Sequence, residues 1–201
     1  MKLYYTPGAC SLATHIALLE AGFDFELERV DLKRKVTEAG VDFIDINPKG
    51  YVPALLLDSG DVLTENPAVL DWIATAFPPL GVGGPLGRTR LIAMLSYISS
   101  EVHKGFKPYW HAASAEDKAD AEIQLLHRLR WLVDQFEGRY LFGDTPTVAD
   151  LYLFVMVRWT ARFDIAIPQA LAAFHDRIMA RPLTRAAISF EESPVIQAAN
   201  A

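Results

Sequence analysis

The sequence predicts an α/β plus all-α chain: a mixed strand and helix unit first, an all-helical unit after it. Three observations carry that expectation. The first thirty residues follow a strand–loop–helix–strand pattern, Pro78 to Pro85 concentrate proline and glycine, and everything beyond that break has helical periodicity with little strand signal.

Residues 2–5 (Lys-Leu-Tyr-Tyr) are a short strand-like run stopped by Thr6-Pro7-Gly8. Ser11 to Ala21 then carries Leu12, Ile16 and Leu19 on one helical face, and Phe25 to Val30 alternates charged and apolar residues as a half-buried strand does. A parallel strand pair with a helical crossover follows from that order. After a polar stretch holding Lys33, Arg34 and Lys35, residues 52–58 form a strand entered through Pro53. Asp58-Ser59-Gly60-Asp61 is a hairpin turn leading into Val62-Leu63. Thr64-Glu65-Asn66-Pro67 opens a helix, with Asn66 as the expected N-cap, Pro67 at the first helical position, and Val69, Leu70 and Ile73 as the apolar face. The first unit is therefore β-α-β, a connection, then β-β-α.

The Pro/Gly-rich segment sets expected domains at residues 1–78 and 86–201. In the second, helices are expected over 88–102, 115–137, 148–163 and 169–180. Thr147 stands three residues before Asp150, the spacing of a capping box, and this is read as structural.

Composition narrows the function. Of 201 residues, 51% are hydrophobic and 22% charged, which is ordinary globular usage. With 19 Lys and Arg against 25 Asp and Glu, the net charge of −6 lacks the cationic surplus of a nucleic-acid binder. No apolar run is long enough for a transmembrane helix, and the start turns at Thr6-Pro7-Gly8 where a signal peptide needs an apolar stretch. A cytoplasmic protein with no membrane and no nucleic-acid partner is expected. The single cysteine, Cys10, excludes an intrachain disulfide and a polythiolate metal site, and no metal is expected.

Cys10 lies where the first strand gives way to the first helix. Free N–H groups and the helix dipole there favour a thiolate, which makes the thiol a reactive candidate, with Ser11 as a hydroxyl neighbour or a helix cap. The same position equally suits a small buried hydrophobe.

Five blocks carry a resemblance: residues 4–11 (YYTPGACS), 47–53 (NPKGYVP), 63–65 (LTE), 100–106 (SEVHKGF) and 147–154 (TVADLYLF). In order and spacing the chain resembles the bacterial beta class of glutathione transferases over nearly its whole length. The resemblance implies a thioredoxin-like first domain, a helical second domain, a homodimer, and glutathione as co-substrate. It also implies site residues. Glu65 and Asn66 would hold the γ-glutamyl end, the Val52 backbone before a cis Pro53 the cysteinyl moiety, and Lys35 the glycyl carboxylate. Cys10, Ser11 and His103 would face the sulfur, Tyr5 and Lys104 would complete the glutathione site, and residues from Ser96 to Lys104, with Ser96 and Ser100 among the glutathione contacts, would shape its partner side. Phe106, Tyr109, Trp110 and Trp159 would line the electrophile pocket, although aromatic residues at helical spacing equally build core. Asn66-Pro67 and Ser96 depart from the family pattern, and Pro67 removes one N–H from the expected glutathione anchor.

The implied activity is attack of the glutathione thiolate on a small hydrophobic electrophile. Cys10-dependent thiol–disulfide exchange is a second enzymatic reading. A binding protein of the same fold, holding hydrophobic ligands or a protein partner without turnover, is the non-enzymatic alternative.

Overall fold

The computed structural model describes residues 1–111 and 113–193. The last eight residues of the expected second domain, 194–201, lie outside the described residues.

The first half builds one mixed sheet. β1 (Lys2–Tyr5) pairs in parallel with β2 (Glu26–Asp31) in the register Leu3↔Leu27, across helix α1 (Ser11–Glu20). β4 (Ala54–Leu56) runs antiparallel on the other side of β1, Leu3 opposite Leu55, and β5 (Val62–Thr64) closes the hairpin with Leu63 opposite Leu55. The connection contains more structure than the sequence pattern suggests. A two-residue β3 (Val36–Thr37) pairs with β2, and a single-turn helix α2 (Phe43–Ile46) is capped by Asp42, whose side chain accepts from the Ile44 N–H at 2.9 Å. The sheet order is β3-β2-β1-β4-β5.

Alternation along β1 separates two cores. Leu3 and Tyr5 point into the main core with α1, whereas Tyr4 points to the opposite face and joins Val30, Phe43, Val52 and Ala54 beneath α2. Helix α3 (Asn66–Ala76) lies beside α1 and buries Val69, Leu70 and Ile73, the face expected from its periodicity.

The cap of α3 differs from expectation. Glu65 is the N-cap residue, with φ of 69°, and Asn66 is already helical, so Pro67 falls at the second position of the helix. The reason is that the Asn66 side chain turns inward, to two buried partners, instead of outward to its own helix.

The remaining described residues are helical. After a 3₁₀ turn at Pro78–Leu80, α4 (Gly87–Tyr97) runs directly into a wider π-helical turn, Ile98–His103. Then come α5 (Lys107–Trp110), α6 (Ala115–Asp134), α7 (Val148–Arg162), α8 (Gln169–Met179) and α9 (Pro182–Glu191). The expected helix over 88–102 is thus an α-helix whose last turn is expanded, and α5 and α9 were not expected. Pro182 at the first position of α9 was a readable signal for it.

Helix α7 is the hub: every residue from Val148 to Val157 is buried, and it packs against α1, α3, α4 and α8. Its start is fixed by Asp150, whose Oδ2 accepts from the Thr147 N–H and hydroxyl at 2.8 Å each, while Oδ1 accepts from the Leu141 N–H at 2.9 Å. Burial raises the Asp150 carboxyl to about 6 against the pull of those donors. No helix among the described residues is long and apolar enough to cross a membrane.

Candidate active site

A cleft of about 640 Å³ opens where the C-terminal edge of β1 meets the helices. One wall comes from the sheet unit, the other from the π-helical turn, α5 and α7.

The sheet-side wall begins with the Thr6–Ala9 loop, which sequence chemistry makes tight: Gly8 has φ of 67°, and the Ala9 N–H donates to the Thr6 carbonyl at 3.0 Å. The Gly8 peptide is held from the helical side at both ends. Its N–H donates to Glu191 Oε2 and its carbonyl accepts from Trp159 Nε1, each at 2.9 Å. Glu191 is itself buried and meets His15 Nδ1 at 3.0 Å through its other oxygen.

Cys10 follows as the N-cap of α1. Its Sγ donates to the Val52 carbonyl at 3.4 Å, and burial pushes the thiol up to about 12, against the lowering effect of its own and Ser11's N–H groups. The expectation of a thiolate favoured by the helix terminus is therefore corrected: in this cleft, desolvation outweighs the dipole. Val52 precedes Pro53 through a cis peptide and lies just outside β4, so the sheet ladder does not occupy its backbone. Glu65 stands at the start of α3 and is ion-paired with Lys49 at 2.8 Å.

Asn66 is 4% exposed, and both ends of its amide are engaged: Nδ2 donates to the Cys10 carbonyl at 2.9 Å, and Oδ1 accepts from the Thr14 hydroxyl at 2.8 Å. The side chain thus turns to α1, unlike a serine hydroxyl that could face a ligand at the same place.

On the opposite wall, His103 Nδ1 sits 2.7 Å from the Tyr152 hydroxyl, with the ring edge against Trp159 at 5.0 Å between centroids. Burial first and the Lys104 charge second lower His103 to about 4, so the imidazole is neutral at pH 7. Burial raises the Tyr152 phenol, with the neighbouring Ser99 and Asn66 side chains pulling it the other way. Cys10, Asn66, Tyr152, Ser99 and His103 thereby form one polar seam across the two walls. The expanded turn at Ile98–His103 is part of this arrangement, because Ser99 and His103, four residues apart, face the cleft together.

Of the residues expected in the site, Cys10, Val52, Pro53, Glu65, Asn66, His103, Lys104, Trp110 and Trp159 line the cleft. Others do not. Tyr5 is buried in the core against His15 and Phe190, and Phe106 is fully buried within an aromatic cluster with Tyr109, Trp159 and Phe163. Tyr109 is partly buried and donates to the Lys118 carbonyl. Ser11 is buried, its Oγ 3.3 Å from the Thr6 N–H, where it braces the loop. Lys35 donates to the Gly50 carbonyl at 2.7 Å and lies over the ring of Tyr51, which itself lines the cleft. Ser96 and Ser100 are exposed on a face outside this cleft.

Tyr152, Lys107, His111 and Arg162 line the cleft without having been expected there, and Ser99 does so as a member of the expected stretch 96–104 that was not singled out. A signal existed for two of them. Tyr152 is a hydroxyl in an otherwise apolar helical run, and Ser99 precedes His103 by one turn. Among the described residues no group of three or more His, Cys, Asp or Glu is arranged to hold a metal ion.

Comparison with known proteins agrees with this geometry. Residues 8–76 match the glutathione S-transferase N-terminal domain family, and residues 92–182 match the glutathione S-transferase C-terminal domain family. The chain is 40% identical over 198 residues to glutathione S-transferase GstA of Escherichia coli O157:H7, covering 95% of this chain and 98% of that one. A sphingomonad glutathione S-transferase complexed with glutathione superposes with a TM-score of 0.88 at 44% identity, over 96% of this chain and 100% of the other. The bacterial beta class glutathione S-transferase of Sphingomonas chungbukensis gives the same TM-score at 43% identity, over 96% and 99% of the two chains. With both domain families matched in order and relatives aligned end to end, the chain belongs to the glutathione S-transferase family, in its bacterial beta class.

Proposed function

We propose that this chain conjugates reduced glutathione to small, largely apolar electrophiles in the cleft between the sheet unit and the helices. The observation that carries the reading is that Cys10, Val52-Pro53 and Glu65, far apart in sequence, line one wall of a single cleft whose other wall carries His103.

The bound tripeptide is assigned along that wall. The Glu65 carboxylate pairs with its ammonium in exchange for Lys49, and the N-terminus of α3 receives the γ-glutamyl carboxylate. The Val52 backbone takes the cysteinyl moiety as an added strand. That places the sulfur beside Cys10, whose thiol at neutral pH is a hydrogen-bond donor, with neutral His103 and the Tyr152 hydroxyl facing it. The thiol proton leaves to solvent, donors aimed at sulfur favour the resulting thiolate, and its attack forms the sulfur–carbon bond as the leaving group departs with the electron pair of its own bond to that carbon. Residues 1–78 supply the glutathione half and 86–201 the electrophile half, with Trp110 and Trp159 as its aromatic surface.

The protein is assigned to the cytoplasm and to a homodimer. Tyr51, an aromatic side chain of the cleft lining that is 68% exposed, supports a second copy at that point. Thiol–disulfide exchange through Cys10 is the accompanying activity. It requires the thiolate that burial opposes, so conjugation is expected to dominate.

Calorimetric titration of reduced glutathione, followed by turnover of 1-chloro-2,4-dinitrobenzene, tests the reading. One saturable site per chain, weakened by Glu65→Ala, with turnover above the uncatalysed rate, is expected. Binding without turnover of any electrophile or disulfide would place the chain with non-catalytic binding proteins of the same fold. Cys10→Ala is expected to abolish exchange and to leave conjugation measurable.

A further inference from the structure

We infer that the electrophile carries an anionic group, a carboxylate or its equivalent, on a planar apolar body. The inference rests on the conjugation reading and specifies the substrate class of that same cleft.

Charge on the helical wall of the cleft is the first observation. The chain has a net charge of −6, yet the lining residues include Lys104, Lys107 and Arg162, and the one carboxylate among them, Glu65, is already paired with Lys49. Lys104 adjoins His103 and belongs with the glutathione sulfur. Lys107 and Arg162 do not: they stand at the Trp110 and Trp159 end, and neither is ion-paired among the described residues.

Geometry is the second. Lys107 opens α5 and Trp110 ends it, one turn later. Arg162 ends α7, one turn after Trp159, and its guanidinium lies over the Trp110 ring, 4.9 Å from the centroid. Trp110 and Trp159 meet edge to face at 5.0 Å, and Phe163 supports Trp110 at 4.8 Å. A guanidinium stacked on an indole is held by its face and keeps its in-plane N–H groups for a carboxylate. The two helices thus bring an aromatic surface and two cations without an ion pair to one place, on the helical wall of the cleft, whereas Glu65 belongs to the sheet-side wall. A planar electrophile packed on the indoles with its anion at Lys107 and Arg162 has its other end directed along the cleft toward Cys10. A wholly neutral hydrocarbon electrophile would leave both cations unanswered.

A matched pair of probes tests this: 4-chloro-3,5-dinitrobenzoate and the neutral 4-chloro-3,5-dinitrobenzamide. In each, the glutathione sulfur forms a bond to C4, the C–Cl bond breaks with its electron pair leaving as chloride, and the thiol proton goes to buffer. Each kcat/KM is divided by the probe's own uncatalysed rate constant, which removes the difference in intrinsic reactivity. The carboxylate is expected to be favoured by about tenfold, the scale of two partly exposed charge contacts. That ratio is expected to fall to near one in Lys107→Gln/Arg162→Gln, and to shrink in about 0.5 M KCl.

A ratio of one in the unaltered protein, or a preference that survives the double substitution, overturns the inference while leaving conjugation intact. Binding of the unreactive 3,5-dinitrobenzoate and 3,5-dinitrobenzamide, followed by tryptophan fluorescence, separates the two readings. Selective binding of the benzoate, lost in the double variant, without turnover of either chloro compound supports the anion site and refutes conjugation. Neither selective binding nor turnover refutes both.

Discussion

The Asn66 side chain donates to the Cys10 carbonyl at 2.9 Å and so ties the start of α3 to the N-cap of α1. Its other end accepts from Thr14, one turn further along α1, at 2.8 Å. The element that anchors one end of glutathione and the element that faces its sulfur are therefore held together by one amide, which is buried with both of its functions used.

Replacing that amide takes one donor from the Cys10 carbonyl, which keeps the Ala13 N–H at 3.1 Å, and leaves the buried Thr14 hydroxyl without its acceptor. Asn66→Ala is expected to lower stability by about 2 kcal/mol, from the loss of two buried hydrogen bonds. Glutathione KM is expected to rise several-fold, because α1 and α3 lose their common register. Urea denaturation and steady-state kinetics check this; an unchanged midpoint would show that Asn66 merely fills space.

His103 gives a pH prediction whose direction follows from its burial. An unfolded histidine takes up its proton near 6.5, whereas His103 in the folded chain holds off until about 4. Between those values the unfolded chain binds more protons, so the contribution of this ring to stability is fully present above about 6.5 and is lost as pH falls toward 4. The ring resonances of His103 are expected to stay flat in NMR titration from pH 8 to 5, and kcat/KM to show no step from this group near neutrality. An inflection near 6.5 that disappears in His103→Gln would contradict the buried, neutral assignment.

The main fold was legible because its signals are local. A short strand-like run stopped by Thr6-Pro7-Gly8 marked β1, alternation marked β2, and Asp58-Ser59-Gly60-Asp61 marked the hairpin. The spacing of Thr147 and Asp150 marked the start of the central helix. What stayed hidden depends on long-range contacts. Asn66 looks like a cap in sequence because nothing in its neighbourhood reveals Cys10 and Thr14, fifty-six and fifty-two residues away. Tyr152 reads as one more core residue of α7 until the expanded turn at Ile98–His103 brings His103 to its hydroxyl. Cys10 misleads in the opposite way: its place at a helix start is local and was read correctly, but its desolvation comes from the packed cleft.

Asp150 is expected to depart from the usual behaviour of a structural carboxylate. It is fully buried, and its pKa is raised to about 6, so between about 4 and 6 the folded chain binds the proton more tightly than the unfolded one. Its contribution to stability therefore falls as pH rises through that window. The three donors from Leu141 and Thr147 still need an acceptor at every pH. Asp150→Ala is expected to cost roughly 3 kcal/mol at pH 7 through the orphaned donors, and the gap from the unaltered protein is expected to widen between pH 6 and 4.5. Asp150→Asn retains one acceptor and directs an NH₂ at donors, so it should fall between the two. Denaturant titrations at three pH values decide, and a gap that narrows on acidification would reverse the sign.

Glu191 and Trp159 hold opposite ends of the Gly8 peptide, and this makes them partners although they come from different helices. Losing Glu191 orphans the Gly8 N–H and the His15 contact, so Glu191→Ala is expected to cost about 3 kcal/mol, with Glu191→Gln milder because it retains one acceptor. Trp159→Phe keeps the ring in the aromatic cluster but removes the donor to the Gly8 carbonyl. It is expected to cost about 1 kcal/mol from that hydrogen bond. Once one end of the peptide is released, the loop relaxes and the second contact loses its geometry. The Glu191→Ala/Trp159→Phe double variant should therefore lose less than the sum of the single changes, by a coupling of about 1 kcal/mol. Because Thr6 to Ala9 form the cleft wall that leads to Cys10, kcat for conjugation should follow the same sub-additive pattern. Additive stabilities in that cycle would mean that the two contacts act separately and the loop is fixed by its own turn.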